Sequence, residues 1–363
     1  MCTLHKIDAN KIEAFAGKLL EILNNGALAL MMSIGHRTGL FDAMSQMTPS
    51  TSEQIAKAAG MNERYVREWL GAMTVGGIVD CHPDLGAPRF ELPAEHAASL
   101  TRAAGADNMA VFAQYIAVLG SVEDQIVNCF ENGGGVPYSE FKRFHAVMAE
   151  DSGQSIISSL NEDILPLVPG LVEKLVNGIS VLDVGCGSGR ALNLLAKSYP
   201  NSYFTGYDLS KEAIAVARAG VVADGLANVR FKIYDMTNFD ADAPKEQFDL
   251  ITAFDAIHDQ ARPDRVLAGI HKALKPGGDF LMQDIAGSSH VQNNYDHPLG
   301  PLLYTISCMH CMTVSLAQDG MGLGAMWGKE KALEMLREAG FGHVEVQNLE
   351  HDVQNNYYSV KKS

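Results

Sequence analysis

The sequence predicts an α/β fold, a doubly wound and mostly parallel sheet, preceded by a helical half that contains a winged-helix pattern. Three observations predict it. From residue 179 onward, short apolar runs alternate with amphipathic helical segments. That is the rhythm of a parallel sheet with helices on both faces. The first run leads into a glycine loop, "VLDVGCGSGR", at residues 181–190. Upstream, residues 50–92 read as helix, turn, helix and two short strands around a Gly/Pro turn. The expected division is 1–97 (helical and winged-helix), 98–178 (helical linker and lid) and 179–363 (the sheet domain).

Composition narrows the function classes. The chain has 363 residues, 47% hydrophobic and 20% charged, which is ordinary for a globular protein. Against 28 basic residues stand 43 acidic ones, a net charge of −15. Such a surface repels phosphate backbones, so no nucleic-acid partner is expected. No apolar run approaches a membrane span, and no membrane partner is expected. The N-terminus lacks a basic start followed by a long apolar core, so it does not read as a secretory signal. Cys2, Cys81, Cys129, Cys186, Cys308 and Cys311 are scattered, and read as reduced thiols in a cytoplasmic protein.

Residues 8–47 have helical apolar spacing, with breaks expected near Asn24-Asn25-Gly26 and at Gly35. "TSEQIAKAAG" opens with a helix-start signal, Glu53 following Ser50 by three, and Gly60 closes it. Asn62 is a plausible cap for "NERYVREWLGAM". "IVDCHPDLGAPRFEL" supplies the two-stranded wing. Residues 98–178 read as mostly helical, interrupted by the Gly-rich loop "ENGGGVPYSEF" at 131–141.

The strands then follow in order. "ISVLDVG", "SYFTGYDLS", "VRFKIYDM", "FDLITAFDAI" and "PGGDFLMQDI" alternate with helices. "HVEVQNLE" and "NNYYSVKK" close as a pair, and residues 285–330 interrupt the rhythm as an insertion.

A turn of alternating glycines lets a backbone approach a ligand closely, and the next helix offers unpaired amides. Here the glycines are Gly185, Gly187 and Gly189, preceded by Asp183; position 190 is Arg where a dinucleotide fingerprint wants the third glycine. Alone, the loop allows several nucleotides or none. Asp208 ends the second strand about 20 residues on, where a carboxylate can accept two ribose hydroxyls. Asp235 and Met236 end the third strand, placed for an adenine edge and face. "LKPGG" at 274–278 turns into the fifth strand.

With these motifs in order, residues 179–350 resemble a class I S-adenosylmethionine-dependent methyltransferase. The resemblance implies a Rossmann-like seven-stranded sheet ending in an antiparallel hairpin. It implies that Gly185, Gly187 and Gly189 flank the methionine part of S-adenosylmethionine, with Asp183 near its amino group. Asp208 and Leu209 would meet the ribose, Asp235 and Met236 the adenine, and Phe254 would line the same site. The winged segment with "GHRTGLFDAM", "GGGVPYSEFKRFHAVMAEDS" and "CMHCMTVSL" is similar to a winged-helix group of small-molecule methyltransferases with mycobacterial members. That similarity implies a homodimer acting on a small-molecule acceptor.

Methyl transfer needs an aligned acceptor and a group to take its proton. The acceptor of such a fold sits over the carboxyl ends of the fourth and fifth strands. His258 lies there with Asp259 beside it, and an imidazole titrates in the right range for a base. His290 and Asp284, after the fifth strand, are further candidates. Tyr138 on the Gly-rich loop could act as a lid over substrate. Arg37 could reach the same cleft or complement a helix C-terminus.

Cys308 and Cys311 share a helix face at this spacing, with His310 pointing elsewhere; they read as a pocket wall, and no metal is expected. The acceptor atom is open among O, N and S. Two other functions stay in view: thiol or metalloid S-methylation in a Cys/Met-rich pocket, and a winged-helix DNA-binding regulator that senses S-adenosylmethionine. Binding the cofactor without transfer is a third.

Overall fold

The computed structural model describes residues 7–83 and 86–363, so Cys2 and the wing tip at Asp84-Leu85 lie outside the described residues. The chain divides into two compact units, Met1–Val118 and Leu119–Ser363.

The first unit opens with α1, Ala9–Thr38, whose first turn is capped by the Asp8 side chain accepting from Asn10 N. The helix runs unbroken through Asn24–Gly26 and through Gly35, correcting the expected breaks. Gly35 serves packing instead, since a Cβ there would sit 2.6 Å from Trp69 Cζ2 and 2.7 Å from Phe41 Cε2. The chain turns at Gly39, in the left-handed region at φ 70°. α2 (Leu40–Met44), α3 (Ser52–Ala59) and α4 (Glu63–Val75) follow.

The cap of α3 is Thr51, whose N–H donates to Gln54 Oε1 at 2.9 Å, one residue later than the Ser50/Glu53 signal suggested. Ser50 is occupied otherwise: it exchanges backbone hydrogen bonds with Phe90 in the wing. Asn62 caps α4 as expected, accepting from Arg64 N at 3.1 Å. The wing is the antiparallel pair β1 (Asp80–His82) and β2 (Arg89–Glu91). Leu40, Phe41, Ile55, Val66, Trp69, Leu70 and Met73 form the core, and Trp69 Nε1 donates to Met31 O. Along the outside of α1, Ile12, Phe15, Leu19, Leu20, Ile22, Leu23, Leu30 and Ile34 are exposed.

The second unit begins with helices and carries the sheet. Its strands are β3 (Ser180–Val184), β4 (Tyr203–Asp208), β5 (Val229–Ile233), β6 (Phe248–Phe254), β7 (Leu274–Ile285), β8 (Glu345–Leu349) and β9 (Asp352–Lys361). They lie in the order β5-β4-β3-β6-β7-β9-β8, the first five parallel and β9 antiparallel to both its neighbours. Successive residues of β3 feed opposite faces: Val181 joins the core with Leu192, Leu195 and Phe204, and Leu182 joins Phe239, Ile251 and Leu267. A strand buried on both faces does not alternate apolar with polar residues, which explains Val181, Leu182 and Val184; Asp183 between them is buried with a hydrogen-bond partner.

The strand order reverses between β4-β3 and β6-β7, so a crevice opens beyond the carboxyl ends of β3 and β6. Among the described residues, no helix is long and apolar enough to cross a membrane.

Candidate active site

The glycine loop follows β3 directly. Gly185, Gly187 and Gly189 all have positive φ, at 73°, 50° and 69°, and Gly189 caps the helix Arg190–Ser198. Gly185 N and Cys186 N both donate to Tyr207 O, which ties the loop to β4. A Cβ added at Gly187 would meet nothing within 4 Å, so the loop presents open backbone there. Asp208, at the end of β4, accepts from Gly187 N and Ser210 N, each at 2.8 Å. Each carboxylate oxygen keeps a second lone pair for a hydroxyl.

Leu209, beside it, is exposed. Asp235 and Met236 lie just past the end of β5, not in it. Asp235 is exposed and accepts from Thr237 N and Oγ1; Met236 packs into the core, its side chain 4% exposed. Phe254 ends β6, half-buried. Asp183 is buried and accepts from Thr252 Oγ1 at 2.6 Å; burial pushes its carboxyl up to about 7. Open glycine backbone, a helix N-terminus, a half-exposed carboxylate and an exposed leucine fit an adenosyl ligand with a cationic tail. Bound there, S-adenosylmethionine would supply a methyl group already activated on a sulfonium.

The loop after β6 builds the second half of the site. Asp255 sits in left-handed backbone at φ 48° while its N–H donates to Gln283 O, a strained position of the kind that clusters at functional sites. Burial, helped by the charge of Asp284, pushes the Asp255 carboxyl up to about 8. His258 is buried; its Nδ1 lies 2.8 Å from Asp284 Oδ1 and its Nε2 3.2 Å from Asp259 Oδ1. Burial opposes charge on this ring, but Asp284 and Asp259 outweigh it and hold its pKa well above the ordinary histidine value. Asp284 is fixed in turn by Trp327 Nε1 at 3.0 Å and Ile285 N at 2.8 Å.

Cys311 completes the group. Burial pushes its thiol up to about 12, so it is a neutral thiol and no nucleophile. The donor atoms of His258, Asp259 and Cys311 all lie within 4.8 Å of one another, close enough for a soft cation.

The remaining candidates fall unevenly. Residues Ser307–Cys311 form a π-helical turn, and the wider turn brings His310 inward with Cys311 while Cys308 is half-buried. This corrects the expectation, based on regular helix, that His310 points away. Tyr138 begins the turn Tyr138–Glu140; its ring meets His310 edge-on at 5.1 Å and its hydroxyl lies 3.3 Å from His145 Nδ1. His290 is exposed on the loop after β7 and stays outside the buried His258 cluster. Arg37 belongs to the first unit, exposed in the last turn of α1, where it complements the helix dipole.

Sequence reasoning missed Trp327 and Phe144. Trp327 lies 43 residues from the carboxylate it holds. Phe144 stacks on His310, and no local spacing signals either contact.

Residues 26–102 match the family described as the Rv2258c-like winged HTH domain, and residues 175–340 match the family described as the methyltransferase domain. Among curated relatives, a fatty-acid O-methyltransferase of Mycolicibacterium smegmatis is 32% identical over 109 residues, 30% of this chain and 38% of that protein. A ubiquinone biosynthesis O-methyltransferase of Pseudomonas fluorescens is 30% identical over 125 residues, 34% of this chain and 52% of that protein. The chain thus spans between about two fifths and half the length of these relatives.

Among solved structures, the mitomycin 7-O-methyltransferase MmcR is similar with a TM-score of 0.70 and 16% identity, over 98% of this chain and 100% of that one. Human N-acetylserotonin methyltransferase in complex with S-adenosylmethionine is similar at 0.66 and 15%, over 99% of both chains. These two likenesses speak to the fold. The chain thus carries a domain of the Rv2258c-like winged HTH family at residues 26–102 and a domain of the methyltransferase family at residues 175–340, the latter holding the glycine loop and its acidic partners.

Proposed function

We propose that this chain transfers a methyl group from S-adenosylmethionine to a hydroxyl oxygen of a small-molecule acceptor. One observation carries the reading: His258, just past the carboxyl end of β6, stands buried against Asp284, in the last residues of β7, with Asp259 alongside. His258 takes the acceptor proton on Nε2 while Asp284 orients the ring through Nδ1 and stabilises the imidazolium that forms. Asp183, Gly185, Gly187, Gly189, Asp208, Leu209, Asp235, Met236 and Phe254 hold the cofactor. Residues 98–178 act as linker and lid, with Tyr138 at the lid tip. Oxygen is favoured as the acceptor atom because the matched relatives are named O-methyltransferases.

The neutral Cys311 thiol argues against thiolate chemistry in the pocket. On α4, Arg64 pairs with Glu68 at 2.6 Å and Arg67 with Glu63 at 2.8 Å, which speaks against a DNA-reading face. The exposed apolar stripe of α1 supports a second copy of the chain as partner.

The test is incubation with methyl-labelled cofactor and a small-molecule extract, with products analysed for the labelled atom. Label in an ether or ester product supports the reading. No labelled product, or label on nitrogen or sulfur, overturns it. His258→Ala should remove the product and leave cofactor affinity within about twofold.

A further inference from the structure

His310 is 0% exposed, and neither of its ring nitrogens has a hydrogen-bond partner among the described residues. Its surroundings explain why none is available. The ring stacks on Phe144 with centroids 3.4 Å apart and planes 7° apart, and Phe141 and Tyr138 meet it edge-on at 4.7 and 5.1 Å. These are hydrocarbon faces and edges; the Tyr138 hydroxyl is directed to His145. Burial, with the charges of His258 and His145 adding, keeps the ring neutral. A neutral imidazole carries one donor and one acceptor, and leaving both unmade is costly. The next residue, Cys311, belongs to the group around His258. The unmade bonds therefore lie close to where the acceptor hydroxyl would lose its proton.

We propose that His310 is an acceptor-binding residue that reads a second polar group, a hydroxyl or carbonyl, carried on a flat ring next to the hydroxyl that is methylated. This rests on the reading of the site as an O-methyl transfer centre. The flat ring follows from the aromatic side chains that now fill the space against His310. Tyr138, Phe141 and Phe144 pack against the His310 ring, so a ligand that reaches its nitrogens displaces this arm. Its attachment lies upstream: Val136 N donates to Thr313 Oγ1 at 2.8 Å, and Gly135 packs against the backbone of Thr313 and Ala317. At its far end Arg143 takes left-handed backbone, φ 74°. Tyr138 and Phe141 thus lie between a fixed point and a strained joint, and Phe144 follows the joint directly.

The test uses binding, not turnover. Catechol and phenol are titrated calorimetrically into the full chain saturated with S-adenosylhomocysteine. Catechol should bind at least about tenfold tighter than phenol, because a site built to pair a hydroxyl rejects the analogue lacking it. His310→Phe keeps the stacking and removes both nitrogens; it should bring the two affinities together and leave that for S-adenosylhomocysteine unchanged. His310→Gln should restore part of the preference, and serves if the phenylalanine variant loses cofactor affinity. Equal affinities in the wild type, or a catechol preference that survives both substitutions, overturns the assignment. Absence of labelled product with the catechol preference intact would sink the transfer reading alone. Label on an aliphatic acceptor, with no catechol preference, would sink His310 alone.

Discussion

His258 Nδ1 and Asp284 Oδ1 stand 2.8 Å apart in a site that buries both side chains, with Trp327 Nε1 donating to the same carboxylate oxygen at 3.0 Å. Burial alone disfavours the charged imidazole; Asp284 and Asp259 outweigh it and raise the pKa of the ring.

The raised pKa of the base sets the pH profile. The free-base fraction of His258 grows as pH rises toward its raised pKa, so kcat/KM should climb with pH above neutrality. Asp284→Asn removes one of the two charges that raise the pKa. The climb should move to lower pH, with kcat reduced by about 10²- to 10⁴-fold. A rate profile in the variant that keeps its midpoint would remove His258 as the titrating group.

Cofactor binding should titrate separately. The Asp183 carboxyl, held up to about 7 by burial, is half neutral at physiological pH. An ammonium group beside it favours the ionised form, so S-adenosylmethionine affinity should rise between pH 6 and 8. Asp183→Asn should flatten that dependence, and Asp208→Ala should weaken binding by about tenfold or more at every pH. Calorimetric titration decides both; unchanged affinity in Asp208→Ala would take the ribose role from that residue.

His258 is paired with Asp284 and Asp259 without a bound cation, so turnover should survive dialysis against chelator. Micromolar zinc should inhibit by engaging the His258–Asp259–Cys311 donors, and Cys311→Ala should weaken that inhibition about 10-fold. Activity lost to chelator and restored by metal would reverse the assignment.

Stability should fall as pH rises from about 5 to 8.5. Asp183 and Asp255, raised to about 7 and about 8, keep protons that an unfolded chain releases near pH 4. Across that window the native state binds more protons, so raising the pH favours unfolding. The raised pKa of His258 acts in the same direction, its contribution being lost as pH climbs through the folded value. Asp255→Asn should flatten the decline of Tm with pH and raise Tm at pH 8. An unaltered slope in this variant would mean that Asp255 does not titrate in the window.

The eight exposed apolar residues of α1, from Ile12 to Ile34, project within about half the helix circumference. Leu20→Glu with Leu23→Glu should convert a dimer to a monomer in sedimentation and leave S-adenosylmethionine affinity intact. A wild-type chain that sediments as a monomer at high concentration would refute the dimer directly.

The sheet was legible because each strand carries its own signal: an apolar run, a bounding glycine, a polar end. The glycine loop and its neighbouring carboxylates were legible for the same reason, since Gly185, Asp208 and Asp235 occupy fixed offsets from strand ends. The acceptor side was not. His258 announced itself at a strand end, but its neighbours Trp327, Cys311 and Phe144 come from segments remote in the chain, which only tertiary packing joins. His310 was misdirected by the assumption of 3.6 residues per turn; a π-turn has no sequence signature of comparable strength. In α1 the glycines misled because a long helix tolerates them, and Gly35 is required by Trp69 rather than by a bend.

Gly135 has a consequence for altering what this protein accepts. A methyl group there would come 2.0 Å from Thr313 O, so the position admits no side chain without moving the helix beneath it. It works as an anchor bolt. Libraries that vary Tyr138, Phe141 and Phe144 around a fixed glycine would reshape the mouth of the pocket, whereas libraries that include position 135 would spend most of their members on chains whose arm has lost its footing.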